Sequence, residues 1–185
     1  VTAGHCVYEP TVGGWASSVR VIPGRNGSNE PYGSRTVGTS ALRSVPNWID
    51  DGDPEYDLGA IVLPDDSLGN MVGWHFNYGY YSDSFLSGVS NVNVSGYPSD
   101  KPNGTLWVDN DPVSGVATRI LSYAVDTESG QSGSPVWANE GYDAVAIHAY
   151  GVGPSAPCRA GDNCGTRITS DIALALQQWG APLPF

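Results

Sequence analysis

The chain has 185 residues, a length that suits one domain or a pair of fused barrels sharing an interface. Its 24 glycines, 14 prolines and charged fraction of only 15% are typical of an all-β protein with many turns, and they exclude a disordered chain. The net charge of -11 argues against nucleic acid or an anionic membrane as a partner, and no apolar run reaches the roughly 18 residues of a membrane span.

The first half of the chain contains two predicted strands. Residues 18–23 alternate apolar and polar side chains, as half-buried strands do, and residues 58–63 form a continuous apolar run. Turn signals follow them at Asn26-Gly27 and at Pro64-Asp65-Asp66. Because Asp57 comes directly before the apolar run, we expect its carboxylate at the head of a buried strand.

The second half repeats this pattern of short strands and turns. Residues 91–97 alternate, and residues 143–150 predict a more buried strand. Further turns are predicted at Asn103-Gly104 and Ser114-Gly115. Strands at this spacing indicate a barrel or a sandwich.

One helix is predicted near the C-terminus. Its cap is Ser170 or Asp171, and Gly180 with Pro182 ends it. The residues that share its apolar face are Ile172, Ala175, Leu176 and Trp179. We expect this face to pack on the sheet formed by the second half of the chain.

A serine, a histidine and an aspartate stand in local sequences that suit nucleophilic catalysis. Ser132 lies in Gly-Gln-Ser-Gly-Ser-Pro (130–135), which places a small hydroxyl on a glycine-flanked turn. A serine hydroxyl is a weak nucleophile without a base, and His5 in Thr-Ala-Gly-His-Cys (2–6) supplies an imidazole. Asp57 is suited to orient that base. The order histidine, aspartate, serine differs from the orders of subtilisin and of the α/β-hydrolases, and the latter also require Gly-x-Ser-x-Gly.

At these residues the chain resembles the chymotrypsin-fold serine peptidases, and within them the bacterial glutamyl endopeptidases. The segments that carry the resemblance are Gly-His-Cys-Val-Tyr (4–8), Tyr-Asp-Leu-Gly-Ala-Ile (56–61), Ser-Gly-Tyr-Pro-Ser-Asp-Lys (95–101), the serine segment 123–134 and Ala-Ile-His (146–148). The resemblance implies an all-β, chymotrypsin-like double six-stranded β-barrel with a C-terminal helix. It divides the chain into a first barrel over 1–84, with a boundary near residues 80–88, and a second barrel with the helix over 85–185.

The resemblance also implies roles for the site residues. His5 is the general base, Asp57 holds its tautomer, and Ser132 attacks the peptide bond. Backbone N–H groups of Gly130 and Ser132 form the oxyanion hole. Gln131 stands where trypsin-like animal enzymes carry an aspartate that pairs with a new N-terminus, so we expect activation by another route, such as loss of a propeptide.

Substrate specificity is predicted from the strand that contains His148. The family places a histidine there to meet a substrate glutamate, and a histidine donates hydrogen bonds and becomes charged when an anion arrives. The hydroxyl of Thr127 adds a second hydrogen-bond donor beside His148. Tyr150 and Gly151 are the other predicted substrate-binding residues. We therefore expect cleavage after Glu and more weakly after Asp, in a secreted, monomeric enzyme that acts on proteins or peptides without a cofactor.

The three cysteines divide into a predicted pair and a single residue. Cys158 and Cys164 enclose a short polar loop that a disulfide would close. Cys6 is left over, and we expect it to pair with a cysteine on N-terminal strands of the first barrel that this sequence lacks, linking an N-terminal segment. The alternative is a free, buried Cys6.

Other functions stay open beside the leading one. One is a serine endopeptidase with a different S1 preference, in which His148 is turned away from the pocket. Another is an inactive protease-fold binding module. We predict no metal site, because the acidic segment 50–55 lacks the EF-hand pattern and reads as a solvated loop before Asp57.

Overall fold

A computed structural model describes residues 1–138 and 142–180 of the chain. Its first half consists of short elements joined by turns. The strands there are β1 (Tyr8–Glu9), β2 (Gly14–Trp15), β3 (Ser18–Val21), β4 (Arg35–Gly38), β5 (Leu42–Ser44), β6 (Gly59–Ile61) and β7 (Asn77–Tyr78). The helices are α1 (Pro46–Asp51), α2 (Ser67–Val72) and α3 (Asp83–Gly88).

The second half contains the longer strands and the C-terminal helix. The strands are β8 (Val92–Gly96), β9 (Trp107–Asp111), β10 (Val113–Val116), β11 (Ile120–Tyr123), β12 (Pro135–Ala138), β13 (Asp143–Tyr150) and β14 (Asn163–Arg167). The helix is α4 (Ser170–Gln178). The strands predicted over 18–23, 58–63, 91–97 and 143–150 are β3, β6, β8 and β13, within a few residues at each end.

One predicted turn in the second half is wrong. Ser114-Gly115 lies inside β10 and not between two strands. The register of β10 with β11 shifts between Val113 and Gly115, so the glycine marks a bulge in a strand. A small polar pair of this kind favours a turn from sequence alone, and the pairing with β11 overrides that preference.

The strands of the second half form one large antiparallel sheet. Its order is β10-β11-β14-β13-β12-β8-β9, and β7 adds to β13 in parallel. The first half forms three separate two-stranded ladders, β1-β2, β3-β4 and β5-β6. The described residues thus contain one clearly formed, near-closed barrel, where we expected two of six strands each. Each short strand of the first half pairs with one other strand, and Gly59 of β6 also bridges Thr2. The division at residues 84 and 85 stays a prediction.

Two hydrophobic clusters form the core, one within the sheet and one between the sheet and helix α4. The first lies inside the sheet and is built of Leu86, Val92, Val94, Leu121, Tyr123, Val125, Val136, Val145 and Ala146. The second lies between the sheet and α4 and is built of Leu58, Ala144, Ile147, Ile168, Ile172, Ala173 and Leu176. Leu58 therefore anchors the segment that carries Asp57 against the helix side of the sheet.

The C-terminal helix differs in detail from its prediction. Its N-cap is Thr169, one residue before the predicted cap. Ile172 and Leu176 are buried as expected, but Ala173 is buried and Ala175 only half-buried. Gly180 follows the end of the helix, and the predicted terminator Pro182 lies outside the described residues. No helix in the described ranges is long and apolar enough to cross a membrane.

Candidate active site

His5 and Asp57 form a tightly bonded pair. The backbone N–H of His5 donates to Asp57 Oδ1 at 2.9 Å, and His5 Nδ1 lies 2.7 Å from Asp57 Oδ2. Asp57 is fully buried, whereas the His5 side chain is 29% exposed. A Cβ on Gly4 would lie 2.9 Å from Asp57 Oδ1, so the glycine before the histidine permits this close approach. The buried carboxylate fixes the ring through Nδ1 and leaves Nε2 available.

The environment of His5 favours its protonated form. Burial disfavours the imidazolium, but the hydrogen bond and negative charge of Asp57, with a further contribution from the neighbouring Cys6, outweigh it and raise the pKa of His5 to about 10. Such a site stabilises the imidazolium that a general base forms when it accepts a proton.

Cys6 connects the histidine segment to the serine turn. Its thiol is free and exposed in the structure, and its Sγ lies 3.8 Å from the carbonyl oxygen of Ser132. Because Cys6 is exposed, the alternative of a free, buried Cys6 is wrong about the burial of this residue. Pairing of Cys6 with a preceding segment stays a prediction.

The turn that carries Ser132 needs two of its glycines. Gly130 and Gly133 have φ of 95° and 86°, a left-handed backbone that favours glycine. A Cβ on Gly133 would collide with Thr2 Oγ1 and lie 3.2 Å from the backbone nitrogen of Ala3. The serine turn therefore packs directly against the segment that leads to His5.

Gln131 supports the turn from inside. It is only 5% exposed, and its Oε1 accepts a hydrogen bond from the backbone N–H of Glu128 at 2.7 Å. Its side chain also packs beside Gly96 of β8. The sequence predicted only that Gln131 cannot form an ion pair, and the structure adds that it braces the turn as a neutral amide.

The backbone amides predicted for an oxyanion hole are available. Within the described residues, no acceptor bonds the N–H of Gly130 or of Ser132. The neighbouring N–H of Gly133 is occupied, since it donates to the carbonyl oxygen of His148 at 2.8 Å. Two unbonded donors on one turn are suited to stabilise a developing oxyanion.

A cavity of about 330 Å³ opens beside Ser132. Four of the predicted site residues line it, namely Thr127, Ser132, His148 and Gly151. The other lining residues are Asp126, Glu128, Ser129, Ala149, Val152 and Asn163. The cavity is large enough for one side chain, and the serine at its wall makes it the candidate S1 pocket.

Tyr150 is the predicted substrate-binding residue that does not line this cavity. Its ring centroid lies 6.4 Å from that of His5. Burial and then the negative charge of Asp57 raise the pKa of the Tyr150 phenol. Tyr150 therefore flanks the histidine and aspartate, while Gly151 borders the cavity.

His148 is a buried, neutral donor or acceptor at the cavity wall. Its side chain is 3% exposed, and its Nδ1 lies 2.7 Å from the hydroxyl of Tyr123. Burial, followed by the positive charge of His5, lowers the pKa of His148 to about 4. The ring of His148 is therefore uncharged at neutral pH.

Thr127 contributes a polar atom that lacks a partner. Its Oγ1 is buried and has no hydrogen bond in the described part of the chain. Buried hydroxyls without partners are uncommon, because each costs about 1–3 kcal/mol. Thr127 lines the cavity together with His148, so its unpartnered hydroxyl lies close to the cavity wall.

Asn163 braces the cavity and was not identified from the sequence. Its Nδ2 donates to the carbonyl oxygen of Val125 at 2.7 Å, and its Oδ1 accepts from the N–H of Val152 at 2.8 Å. The amide thus joins the two backbone segments on either side of the pocket. Only the neighbouring Cys164 marks this position in the sequence.

The predicted disulfide between Cys158 and Cys164 is confirmed. It closes the loop before β14, and the N–H of Arg159 within that loop donates to Ser122 Oγ at 3.0 Å. The disulfide holds the loop between β13 and β14 against β11. No group of three His, Cys, Asp or Glu side chains in the described ranges is arranged to hold a metal ion.

Comparisons with known proteins relate the chain to one family. The trypsin family profile matches residues 1–170. A protein of Bacillus subtilis (strain 168) named extracellular metalloprotease is 44% identical over 183 residues, 97% of this chain and 54% of that protein. A glutamyl endopeptidase of Bacillus licheniformis is 39% identical over 185 residues, 96% of this chain and 55% of that protein. The chain spans about half the length of these curated relatives.

Solved structures agree with this relationship. A structure described as a Glu endopeptidase in complex with MPD matches with a TM-score of 0.82 and 27% identity, covering 96% of this chain and 78% of that one. The protease Anisep from Arthrobacter nicotinovorans matches with a TM-score of 0.76 at 20% identity, which supports the chymotrypsin-like fold alone. The family profile covers most of the chain and the nearly closed sheet agrees with it, so the chain belongs to the trypsin family of serine peptidases.

Proposed function

We propose that this chain is the peptidase unit of a secreted serine endopeptidase that cleaves after Glu and more weakly after Asp. The observation that carries the catalytic part is the pair of hydrogen bonds that the buried Asp57 makes with His5, beside the Ser132 turn. The observation that supports the specificity is that His148 and Thr127 line one cavity with Ser132. The extracellular relative of Bacillus subtilis supports the location.

The proposed reaction begins at Ser132. Its Oγ attacks the carbonyl carbon of the substrate, and His5 Nε2 accepts the hydroxyl proton while Asp57 stabilises the imidazolium. The oxyanion accepts hydrogen bonds from the N–H groups of Gly130 and Ser132. His5 then gives the proton to the leaving amine, which leaves an acyl ester on Ser132. Water, deprotonated by His5, hydrolyses that ester and restores the enzyme.

The proposed S1 pocket binds a carboxylate through two hydrogen-bond donors, a neutral hydroxyl and an imidazole that can become protonated. Thr127 Oγ1 is an unsatisfied hydroxyl, and His148 presents an imidazole that can donate from a buried position. An entering carboxylate favours protonation of His148 because opposite charges attract strongly in a buried site. Asp126 and Glu128 also border the cavity, but both are exposed, so solvent and salt screen their repulsion.

The name of the Bacillus subtilis relative raises metal-dependent hydrolysis as a second candidate. A catalytic metal requires about three protein ligands with nitrogen, sulfur or carboxylate donors. The described residues contain no such cluster, and the two nearest donors of the site, His5 and Asp57, are bonded to each other. The donor set does not fit a catalytic metal, and we derive no step through one.

Labelling with diisopropyl fluorophosphate, in the presence and absence of EDTA, separates the catalytic mechanisms. We expect one adduct on Ser132 by peptide mass spectrometry and complete loss of peptidase activity, with EDTA having no effect on turnover. Inactivation by EDTA without labelling of Ser132 would support the metal-dependent alternative. Absence of both labelling and turnover would support an inactive binding module.

The S1 preference is tested with matched peptides that differ only in Glu or Gln at the cleavage position. His148→Leu should abolish the preference for Glu while Ser132 still reacts with the organophosphate. An unchanged preference in that variant would favour a serine endopeptidase in which another residue recognises the substrate.

A further inference from the structure

A hydrogen bond buried behind the S1 cavity connects two strands that are not neighbours. Tyr123 ends β11 and His148 lies in β13, and β14 separates them. The Tyr123 hydroxyl nevertheless lies 2.7 Å from His148 Nδ1. A Cβ on Gly165 of β14 would run into the backbone of Ile147, so glycine permits the close approach of β13 and β14 on which this reach depends.

The two sides of the His148 ring have different surroundings. Nδ1 faces Tyr123, which is fully buried in the sheet core and does not line the cavity. His148 itself lines the cavity, so the edge of the ring that carries Nε2 is the one turned to a ligand. Whether that edge donates or accepts is decided by which nitrogen holds the proton.

The balance of donors and acceptors selects one tautomer. His148 Nδ1 is the one polar partner of the Tyr123 hydroxyl among the described residues. If Nδ1–H donated to that oxygen, the phenolic hydrogen would be buried without an acceptor, at a cost of a lost hydrogen bond. Burial raises the pKa of Tyr123 well above its ordinary value, so the phenol keeps this hydrogen. The satisfied arrangement has the phenol donating to Nδ1 and the hydrogen of the neutral imidazole on Nε2.

We propose that Tyr123 is a positioning residue for substrate specificity, because its hydroxyl holds His148 in the tautomer that presents Nε2–H to a carboxylate in the cavity. This inference rests on the proposed glutamyl preference. The hydroxyl favours the neutral ring, because an Nδ1–H pointing at its oxygen would leave the buried phenolic hydrogen without an acceptor. Tyr123 therefore decides which nitrogen of His148 faces the carboxylate, without touching the substrate.

The substitution Tyr123→Phe removes the hydroxyl and keeps the packing of the ring. We expect kcat/KM for a Glu peptide to fall roughly 10- to 100-fold, as for loss of a hydrogen bond that supports a charged group. The matched Gln peptide should change by less than about threefold, because an amide can both donate to and accept from either tautomer. Tyr81→Phe is the control, since it removes a 2.6 Å hydrogen bond to Asp143 away from the cavity, and it should leave the Glu to Gln ratio unchanged.

Nitrogen-15 NMR tests the tautomer in the wild-type protein itself, and a variant is needed only to assign the signal. The chain has three histidines, and the signal lost in His148→Gln identifies the one concerned. We expect the proton on Nε2 and an unprotonated, hydrogen-bonded Nδ1. A proton on Nδ1 in the free enzyme would overturn the proposal, as would an unchanged Glu to Gln ratio in folded Tyr123→Phe.

The same peptides separate failure of this inference from failure of the proposed function. If the wild-type enzyme does not prefer Glu, or if His148→Leu keeps that preference, the glutamyl assignment fails and the role of Tyr123 fails with it. If the preference depends on His148 but not on Tyr123, the glutamyl assignment stands and only the positioning role is wrong.

Discussion

At the scale of single residues, the site depends on groups whose charge is set by burial. Asp57 is buried as an acceptor of two hydrogen bonds from one residue, and this raises the pKa of His5 against the effect of desolvation. The His148 ring is buried, its side-chain hydrogen bond within the described residues is the one to the Tyr123 phenol, and its pKa falls. The pKa values of the two histidines are thus shifted in opposite directions: Asp57 favours the imidazolium of His5, whereas burial favours the neutral ring of His148.

The substitution Asp57→Asn tests the first of these environments. The amide keeps the shape of the carboxylate but removes its charge and favours the wrong tautomer of His5, so kcat/KM should fall by about 10,000-fold. Peptide hydrolysis and a thermal melt on the same sample measure activity and folding. Asp53→Asn, which weakens a cap on Glu55 in the preceding turn, is the control and should retain most activity. A small effect of Asp57→Asn would contradict the assigned role.

The neutral state of His148 predicts an acid-sensitive stability. The folded pKa is about 4, below the ordinary value of 6.5, so between these pH values the unfolded chain binds a proton that the folded chain does not. The free energy of unfolding should therefore fall as the pH drops from about 6.5 to 4, by at most about 3 kcal/mol from this residue. Urea unfolding of the wild type and of His148→Gln measures it. Equal pH slopes for the two proteins in this window would rule out a neutral buried histidine.

The sequence predicts site residues that stand in short motifs, and it misses those that would act through the sheet. His5, Asp57 and Ser132 are predicted from local residues and their order, and His148 from the resemblance to the glutamyl endopeptidases. Tyr123 reaches the site only through the register of three strands, and Asn163 through loop closure on both of its sides. No local pattern encodes such contacts.

At the scale of elements, the serine turn is shaped by backbone and not by side chains. Gly133 has a positive φ, its N–H is bonded to the strand of His148, and its Cα faces Thr2. One residue thus joins the serine turn, the strand of His148 and the segment before His5. The strands that support the turn were predictable from alternation, whereas the bulge at Gly115 was not, because pairing with β11 decides it.

The substitution Gly133→Ala should damage both stability and catalysis. The new methyl group would collide with Thr2. The alanine would also have to adopt a left-handed backbone, and this alone costs roughly 1–2 kcal/mol of stability. Gly69→Ala is the matched control, since Gly69 lies in helix α2 with nothing within 4 Å of a Cβ and should be slightly stabilised. Thermal melts and peptide hydrolysis compare the two. A harmless Gly133→Ala would contradict the packing of the turn on the histidine segment.

At the scale of the whole molecule, an acidic protein is proposed to bind acidic substrates. The net charge is -11, and two exposed carboxylates border the S1 cavity. Long-range repulsion is screened by salt, whereas contacts with buried groups are screened much less. Recognition of Glu must therefore come from the buried His148 and Thr127, and the surface field opposes it.

This balance predicts an unusual salt response. Raising the ionic strength from about 0.01 M to about 0.15 M shortens the screening length from about 30 Å to about 8 Å. The kcat/KM for a peptide with several Glu residues should rise, and that for a peptide with one Glu and compensating lysines should change little. Initial rates over a salt series measure both. A fall in kcat/KM for the acidic peptide would indicate that the surface attracts it.

The most direct test of the whole account is a digest of an unstructured protein by the purified enzyme, with all cleavage sites identified by mass spectrometry. The account predicts cuts overwhelmingly after Glu, with a minority after Asp. Cuts distributed over other residues would contradict the assignment of His148 and Thr127 as the carboxylate site, and no cuts at all would contradict the catalytic role of His5, Asp57 and Ser132.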